Sequence, residues 1–217
     1  NLPSWRGGSG GSADRSQPPL GAYVVLKLFG RLGDLEILRR AYPALQRWHD
    51  FWTAPRASGT PRRDGNADGL LEWGADIALA GKNVPSWDRN ASGRMRAAWE
   101  SGQDDLPNWD DAAFNEATGT LTMNGLDLNS LYALDAWSLA EIAAVLGRAA
   151  DADRYRAQYE TLKALINERL WNEREGFYFD RYWDGRFSVH KAASAFYTLL
   201  AGIPDEARVQ RMLKRLL

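Results

Sequence analysis

Acidic and aromatic side chains are concentrated in one short stretch that reads WESGQDDLPNWDD. Its acids are Glu100, Asp104, Asp105, Asp110 and Asp111. Like charges that crowd together raise one another's pKa, and burial against the flanking Trp99 and Trp109 adds to this effect. A carboxyl group that stays protonated near neutral pH can donate a proton to a leaving oxygen, which is what glycoside hydrolysis requires. The alternative is a polar loop whose acids cap helix ends or remain solvated, since perturbed acids are a minority.

A second group of oxygen-bearing residues lies in the segment DGNADGLLE, residues 64–72. The candidate metal ligands are the side chains of Asp64, Asn66 and Asp68 and the backbone carbonyl of Leu70. This alternation matches the first half of a calcium-binding loop. The twelfth position of such a loop is Ala75 rather than glutamate, so the segment is not an EF-hand. The alternative is an Asx-rich turn that is stabilised by its own hydrogen bonds.

Composition excludes several classes of protein. The 217 residues suit one domain, and 27 Lys plus Arg against 28 Asp plus Glu leave no basic patch for a nucleic-acid partner. No apolar run reaches the length of a membrane span, and no signal peptide is visible, which favours a cytoplasmic location. The absence of cysteine and the presence of only 2 histidines exclude disulfides and zinc sites built from these ligands. We expect no organic cofactor, whereas the 10 tryptophans offer flat faces that suit sugar rings.

Helical periodicity dominates both ends of the chain. Apolar spacing and start and stop signals predict helices in the segments 16–32, 33–54, 126–148, 151–171, 190–202 and 204–217. Asp34 is the expected cap of the second helix, and Pro43 is expected to kink or restart it. Residues 55–126 are rich in Gly, Pro, Asn and Asp and are predicted to be mostly loop, which is usually functional when it is this long. Asp184-Gly185 predicts a small β-hairpin.

These segments pair into three consecutive helical hairpins. We therefore expect an all-α fold with long loops and a small β-ribbon, in a single domain over residues 1–217. The GGSGGS run at residues 7–12 is expected to be a flexible loop. Four aromatic or imidazole side chains are expected to pack rather than to bind ligand: His49, Trp137, Tyr155 and Tyr159. Because Leu217 lies within the last predicted helix, we expect the domain to be partial.

The order of several motifs resembles glycoside hydrolase family 63, in particular its bacterial α-glucosidase-like and mannosylglycerate-hydrolase-like members. ESGQD at 100–104 is similar to the Glu-Ser-Gly-x-Asp motif of six-hairpin α-glycosidases, a motif that trehalases share. RSQPPLGAY at 15–23, DGNADGLLEWG at 64–74 and LNSLYALDAWSLAEIA at 128–143 follow the family's order. The resemblance covers nearly the whole chain. It implies that the three hairpins form about half of an α/α toroid.

The resemblance also implies roles for individual residues. Asp104 matches the general acid, while Gln17, Trp99 and Gly102 match positions that contact the sugar. The family inverts the anomeric carbon, so a second carboxylate activates water. In relatives this base is a glutamate in a later helical hairpin, beyond the region that this chain covers. Relatives more often carry Asn where this chain has Asp105, and a charge in place of an amide could alter the pKa of the acid.

Some family members hold a structural calcium ion in the segment that resembles residues 64–72. For this chain we expect a structural Ca²⁺ on Asp64, Asn66, Asp68 and Leu70. Glu72 and Glu141 are the candidates that would close the coordination shell.

The sequence therefore predicts an inverting glycoside hydrolase that acts on α-glucosidic or related α-linked oligosaccharides or small glycosides. Its partner is a carbohydrate, and neither nucleic acid nor membrane is expected. The chain alone is expected to be inactive, because the general base is missing, and to associate with itself through apolar helix faces that a complete ring would cover. The alternative is a non-catalytic carbohydrate-binding or scaffold fragment. A zinc enzyme with a toroid fold is excluded because its cysteine and histidine ligands are missing.

Overall fold

The structure, a computed structural model, describes residues 6–7, 10–56, 58–80 and 84–215. Its α-helices are α1 (Gly21–Leu32), α2 (Leu35–Phe51), α3 (Ser86–Arg89), α4 (Gly93–Ser101), α5 (Leu126–Val145), α6 (Ala149–Arg169), α7 (Tyr197–Leu200) and α8 (Glu206–Leu213). Its strands are β1 (Arg6–Gly7), β2 (Gly10–Gly11), β3 (Phe114–Asn115), β4 (Thr120–Leu121), β5 (Met123–Asn124), β6 (Trp171–Asn172), β7 (Phe177–Tyr178) and β8 (Arg181–Tyr182). β1 pairs with β2 in the run where a flexible loop is predicted. Residues 8–9 of that run lie outside the described residues, and so do residues 216–217 of the last predicted helix.

Two long helical hairpins, α1–α2 and α5–α6, occupy the segments where the sequence predicts them. The Asp34 side chain accepts a hydrogen bond from the N–H two residues on, which confirms it as the cap of α2. α1 ends at Gly33, whose φ of 68° suits a residue without a side chain. The predicted restart at Pro43 does not occur, and α2 runs through this residue. Tyr42 and Leu45 are buried while Pro43 is exposed, so packing holds the helix together despite the missing donor.

α5 is the central helix. It packs against α1, α2, α6 and α7, and nearly all of its side chains are buried. One apolar cluster joins α5 to α1, α2 and α6, and a second joins it to the strands and to α4. A helix that is buried on most sides is apolar almost all round. Trp137, which the periodicity assigns to the core, is 38% exposed, and Val145 at the end of the helix is also exposed.

A buried polar network ties α2 to α5 and α6. His49 Nδ1 lies 2.8 Å from Asp135 Oδ2, and its Nε2 lies 3.0 Å from Gln158 Oε1. Asp135 also accepts the Ala22 N–H at 3.0 Å, and the His49 ring stacks on Tyr132 with centroids 4.3 Å apart. The interpretation of His49 as a packed residue is confirmed, since its polar atoms have protein partners.

The segment 55–126 contains more regular structure than the sequence predicts. It holds α3, α4 and β3–β5, and β5 pairs with the distant β8. Ser92 caps α4 by accepting a hydrogen bond from the Met95 N–H at 3.2 Å. The sequence does not predict α4 because its 9 residues are too few to show a clear apolar stripe and begin with Gly93.

The C-terminal part contains the predicted turn and the predicted helical pair, but the helices of the pair are shorter than predicted. Asp184-Gly185 forms the predicted turn, in which the Tyr182 N–H donates to the Arg186 carbonyl at 2.9 Å. α7 is only 4 residues long and follows a 3₁₀ turn, whereas a longer helix is predicted. Asp205 caps α8 as expected by accepting the Arg208 N–H at 2.8 Å.

α1 carries an exposed apolar stripe. Val24, Leu28 and Leu32 follow one another at a spacing of four residues and are 58%, 43% and 59% exposed. Within the described ranges, no helix is both long and apolar enough to cross a membrane. Exposed apolar stripes favour contact with another protein surface, which agrees with the predicted self-association. Self-association itself stays a prediction.

We expect the double variant Leu28→Lys/Leu32→Lys to reduce self-association of the chain, because two charges replace the apolar stripe. Sedimentation velocity across a concentration series would measure this. The matched control is Ala44→Lys/Ala157→Lys, which adds the same charge at exposed positions outside the stripe. A chain that stays monomeric at all concentrations, or equal effects of the two double variants, would contradict the prediction.

Candidate functional site

The acidic stretch lies where α4 ends and the chain reverses. α4 ends at Gly102, whose φ is 68° and whose N–H donates to the Trp99 carbonyl at 3.3 Å. The Ser101 hydroxyl accepts the Gln103 N–H at 2.9 Å, which holds the next turn against the helix end. The turn from Gln103 to Asn108 follows, and it presents Asp104 at the surface. We call residues 103–108 the acid turn.

Glu100 anchors the site from below. Its carboxylate is fully buried and forms a bidentate ion pair with Arg63, with Nε–Oε2 and Nη2–Oε1 distances of 2.7 and 2.8 Å. It also accepts the backbone N–H groups of Ser16 at 2.8 Å and Gly74 at 2.9 Å. Burial raises the pKa of Glu100 and the Arg63 guanidinium opposes this, so four donors hold a buried carboxylate. Three distant segments therefore meet at one side chain of α4.

A second buried network of charges lies beside this anchor. Arg15 pairs with Asp14 at 2.8 Å and with Asp88 at 2.6 Å. Arg96 pairs with the same two aspartates at 2.9 and 2.7 Å. The two positive and two negative charges balance, as buried ions require. This network ties the N-terminal segment to α3 and α4.

Trp99 is held between aromatic and cationic neighbours. The Arg15 guanidinium lies over its ring, 5.0 Å from the centroid, and Trp87 meets it edge-on at 5.3 Å. A cation over the ring face is attracted to it and restricts the indole. The tryptophan is half-buried and borders a cavity with Asp104.

Two cavities flank the acid turn. The larger, of about 600 Å³, lies between the acid turn and the segment His190–Ser194. The smaller, of about 400 Å³, is bordered by Trp99 and Trp109. Asp104, Asp105 and Leu106 border both cavities.

The electrostatic surroundings of Asp104 favour its protonated form. Partial burial raises the pKa of Asp104, the negative charge of Asp105 raises it further, and Arg15 opposes the shift. The side chain is nevertheless exposed, so it can reach a ligand in either cavity. A carboxyl group with a raised pKa next to a cavity can act as a proton donor.

The structure places three of the four predicted sugar-site residues at the end of α4 and in the acid turn, and it places Gln17 one residue from a contact of Glu100. Trp99 and Asp104 border one cavity, and Gly102 lies between them in the turn. Gln17 follows Ser16, whose N–H binds the anchor Glu100. The roles of these residues stay predictions.

Three carboxylates of the predicted calcium segment lie close together. Oxygen atoms of Asp64, Asp68 and Glu72 all lie within 4.8 Å of one another. Asp64 accepts the N–H groups of Asp68 and Gly69 at 2.9 and 3.1 Å. Two Asx turns follow, in which Asn66 accepts the Asp68 N–H at 3.3 Å and Asp68 accepts the Leu70 N–H at 2.9 Å. Asp68 pairs with Arg169 at 3.2 Å. The alternative interpretation as an Asx-rich turn thus describes part of this geometry.

The remaining predicted ligands differ in their placement. Asn66 donates from its amide to Asp68 at 3.1 Å, and Leu70 directs its N–H to the same carboxylate at 2.9 Å. Glu72 is buried and accepts the Gly65 N–H at 2.7 Å and the Trp183 indole N–H at 3.1 Å. Burial raises its pKa well above the usual range.

Glu141 is misassigned by the sequence prediction. It lies on α5 and pairs with Arg156 at 3.7 Å. Asn129, on the same helix, binds the backbone of Leu71 beside the cluster. The 12 residues from Asn129 to Glu141 span about 18 Å of helix, so Glu141 cannot close the shell.

Several residues of the site carry no signal in the sequence. The partners of the two buried networks come from separate segments, and no local pattern joins them. They are Asp14, Arg15, Arg63, Asp88 and Arg96. Two further buried acids, Asp127 and Asp180, contact the acid turn. Asp127 lies directly before the LNSLYALD run.

The chain is similar to known glycoside hydrolases. The family model of the mannosylglycerate hydrolase MGH1-like glycoside hydrolase domain matches residues 3–217. A periplasmic trehalase of Salmonella newport is 30% identical over 187 residues, which cover 76% of this chain and 32% of the trehalase. A GH63 mannosylglycerate hydrolase from Thermus thermophilus, crystallised with glucose, has a TM-score of 0.70 at 19% identity, and the match covers 97% of this chain and 53% of the hydrolase. For the neutral trehalase of Saccharomyces cerevisiae the TM-score is 0.71 at 19% identity, with coverages of 93% and 44%.

These likenesses confirm the predicted fold class. At 19% identity the two solved structures show a shared toroid-like fold and nothing finer. The chain spans about a third of the trehalase from Salmonella and about half of the solved hydrolase.

We expect Glu100→Gln to lower the free energy of unfolding by about 3–5 kcal/mol, the usual loss when one partner of a buried ion pair is removed. Urea unfolding followed by tryptophan fluorescence measures the change. The matched control is Glu141→Gln, which breaks the half-exposed pair with Arg156 and should change stability by under about 1 kcal/mol. Equal effects of the two variants would show that Glu100 is no anchor.

Proposed function

The chain belongs to the mannosylglycerate hydrolase MGH1-like glycoside hydrolase family, and on that basis we propose that it supplies the acid half of an inverting glycosidase site. The proposed substrates are α-glucosidic or related α-linked oligosaccharides or small glycosides. Membership supports hydrolysis of glycosyl bonds. The residue roles and the stereochemistry are part of the proposal.

One observation supports the proposal most: Asp104 borders both cavities, and its surroundings raise its pKa. Burial and the charge of Asp105 raise its pKa. Among the other acids of the WESGQDDLPNWDD stretch, Glu100 is bound in its ion pair with Arg63. Asp110 and Asp111 are exposed and lie beyond the acid turn. Asp105 borders the same two cavities, so we assign Asp104 as the proton donor because it matches the acid of the Glu-Ser-Gly-x-Asp motif.

In the proposed reaction, the Asp104 carboxyl group donates its proton to the glycosidic oxygen as the bond from the anomeric carbon to that oxygen breaks. Water attacks the anomeric carbon from the opposite face and loses a proton to a general base. For inversion the two carboxyl groups must be about 6.5–9.5 Å apart. We assign no residue of this chain as the base. Turnover therefore requires a base-bearing segment of the full-length protein.

The sugar would lie against rigid groups near the acid. Trp99 offers a ring edge and face that Arg15 and Trp87 hold in place. Gly102 lacks a side chain, and no atom lies within 4 Å of where a Cβ would stand, so the backbone is open to a ligand. Gln17 can donate to and accept from hydroxyl groups. Together these groups could orient a sugar with its leaving oxygen at Asp104.

The names of relatives suggest two substrates, mannosylglycerate and trehalose. Both are small glycosides with α-linkages, which agrees with the proposed class. The alternative proposal is a fragment that binds carbohydrate without turnover. An assay of the full-length protein that measures sugar binding and hydrolysis side by side separates the two proposals.

We also propose a structural calcium ion at Asp64, Asp68 and Glu72, with the Asn66 side chain and the Leu70 carbonyl as further oxygen ligands. The three acids cluster, and the buried Glu72 has no cationic partner among the contacts described for it. Hard oxygen ligands of this kind suit Ca²⁺. The ion would compensate the charge of Glu72 and fix the segment to β8 through Trp183.

We expect Asp104→Asn to reduce turnover of a natural α-glycoside by about 10²–10⁴-fold in the full-length protein, because an amide cannot donate the proton. Aryl glycosides with acidic phenols should be spared, since their leaving oxygen needs little protonation. The matched control is Asp105→Asn, which should be far milder. NMR of the initial product should show the inverted anomer. A nearly fully active Asp104→Asn, or an inactive Asp105→Asn, would refute the assignment.

Calcium should raise the melting temperature of the chain, and EGTA should lower it. An ion at about 100 times its Kd stabilises the folded state by about 2.7 kcal/mol, or roughly 5–10 °C for a chain of this size. The affinity should increase with pH, because Glu72 must lose its proton to bind. Asp68→Ala should remove the response, while Glu141→Gln should retain it. A melting curve that EGTA leaves unchanged would exclude the site.

A further inference from the structure

Two buried aspartates hold the two ends of the acid turn. The Gln103 amide donates to Asp127 Oδ2 at 2.5 Å, and the Asn108 amide donates to Asp180 Oδ2 at 3.0 Å. Both amide residues also border the larger cavity. Asp104 lies in the turn between these two contacts, so its position depends on both.

The two aspartates meet at the start of α5. Asp127 lies in the first turn of the helix, and its Oδ1 accepts the Leu128 N–H at 2.7 Å. Asp180 Oδ1 accepts the Leu126 N–H at 2.7 Å, directly beside it. Two carboxylates from distant parts of the chain thus bind backbone groups two residues apart. The positive end of the helix dipole favours negative charge at this point.

The surroundings contain little positive charge. Among the described residues, neither carboxylate forms an ion pair, and both are almost fully buried. The groups that face Asp127 are Asp180, the Trp73 indole N–H at 2.9 Å, the Gln103 amide and a backbone N–H. Asp180 faces backbone and amide donors. The Tyr182 phenol lies nearby, and its pKa is raised by burial and also by the charge of Asp180. Two unpaired charges so close in a buried site are unfavourable.

These surroundings favour a shared proton. Burial and then the charge of Asp180 raise the pKa of Asp127 to about 7. Burial raises the pKa of Asp180 to about 6. The pair titrates as one unit, so these values belong to both groups together.

We propose that Asp127 and Asp180 are positioning residues that clamp the acid turn, and that the pair retains one proton near neutral pH. This inference rests on the proposed role of Asp104, which the clamp places beside the cavities. When the second carboxyl group ionises, repulsion between the two charges loosens the contacts to Gln103 and Asn108. The order of the acid turn therefore depends on pH.

The effect of pH on stability has a definite sign. In the unfolded chain both acids titrate near pH 3.9. Because the folded pKa values are higher, the folded state binds more protons between about pH 4 and pH 7, and the free energy of unfolding falls as the pH rises through this window. The clamp's contribution is complete below pH 4 and is lost above pH 7.

Two indole groups report on the clamp separately. The Trp73 N–H donates to Asp127, whereas the Trp109 N–H donates to the Gln103 carbonyl at 2.8 Å, within the acid turn. The experiment is a titration of the ¹⁵N-tryptophan-labelled protein by NMR from pH 5 to pH 8, with Trp73→Phe and Trp109→Phe used for assignment. Both indole resonances should shift with a common midpoint between about pH 6 and pH 7. A purely structural Asp127 would leave Trp109 unaffected.

The substitutions test the shared proton. The double variant Asp127→Asn/Asp180→Asn keeps both oxygen acceptors but cannot ionise, so the Trp109 shift should disappear and the fall in melting temperature between pH 5 and pH 8 should be largely removed. In Asp180→Asn, which serves if the first variant does not fold, the midpoint should move to lower pH because the neighbouring charge is gone. The matched control is Asp110→Asn, an exposed acid just beyond the turn, which should leave both titrations unchanged.

A Trp109 resonance that does not follow Trp73, or a titration that survives in the double variant, would overturn the clamp. This readout does not depend on hydrolysis. An active Asp104→Asn enzyme would refute the assigned acid and leave the titration in place, so the two failures are distinguishable.

Discussion

The architecture of the site depends on the ion pair between Glu100 and Arg63. Both side chains are fully buried, and the bidentate contact joins α4 to a segment 37 residues earlier in the chain. The remaining oxygen lone pairs bind backbone N–H groups from two more segments. A buried charge must keep its partners, so the pair fixes their relative positions. The pair thereby also fixes the positions of Trp99 and Gly102, which flank Glu100 closely, and of Asp104 beyond them.

Buried acids around the site are compensated in three different ways. Glu100 pairs with Arg63, and Asp14 and Asp88 pair with Arg15 and Arg96. Among the described residues, the two aspartates at the start of α5 have no cationic partner, so burial favours a proton on the pair. The Glu72 cluster also has an excess of negative charge, which favours protonation or a bound cation. The same desolvation cost thus gives an anchor, a clamp and a candidate metal site.

The residues of the predicted sugar site were identified from a motif. The contacts that set the geometry of the site are not contained in any motif. WESGQD, residues 99–104, identified Trp99, Gly102 and Asp104, because these residues are close in the chain. Sequence reasoning placed Glu141 at the metal cluster because it could not know which turn of α5 faces the loop. It gave Glu100 no structural role and found no role for Asp127 or Asp180, whose partners lie 24 and 72 residues away.

The sequence by itself determined the long helices, their caps and the family. α1, α2, α5 and α6 follow from apolar spacing, and Asp34 and Asp205 mark helix starts, because these signals involve residues within one or two helical turns. Only the tertiary structure decided the rest: the continuity of α2 through Pro43, the exposure of Trp137 and the pairing of buried charges. Each of these depends on which distant segment packs against the residue, and the energy of a buried charge or ring is set by those neighbours rather than by the local sequence.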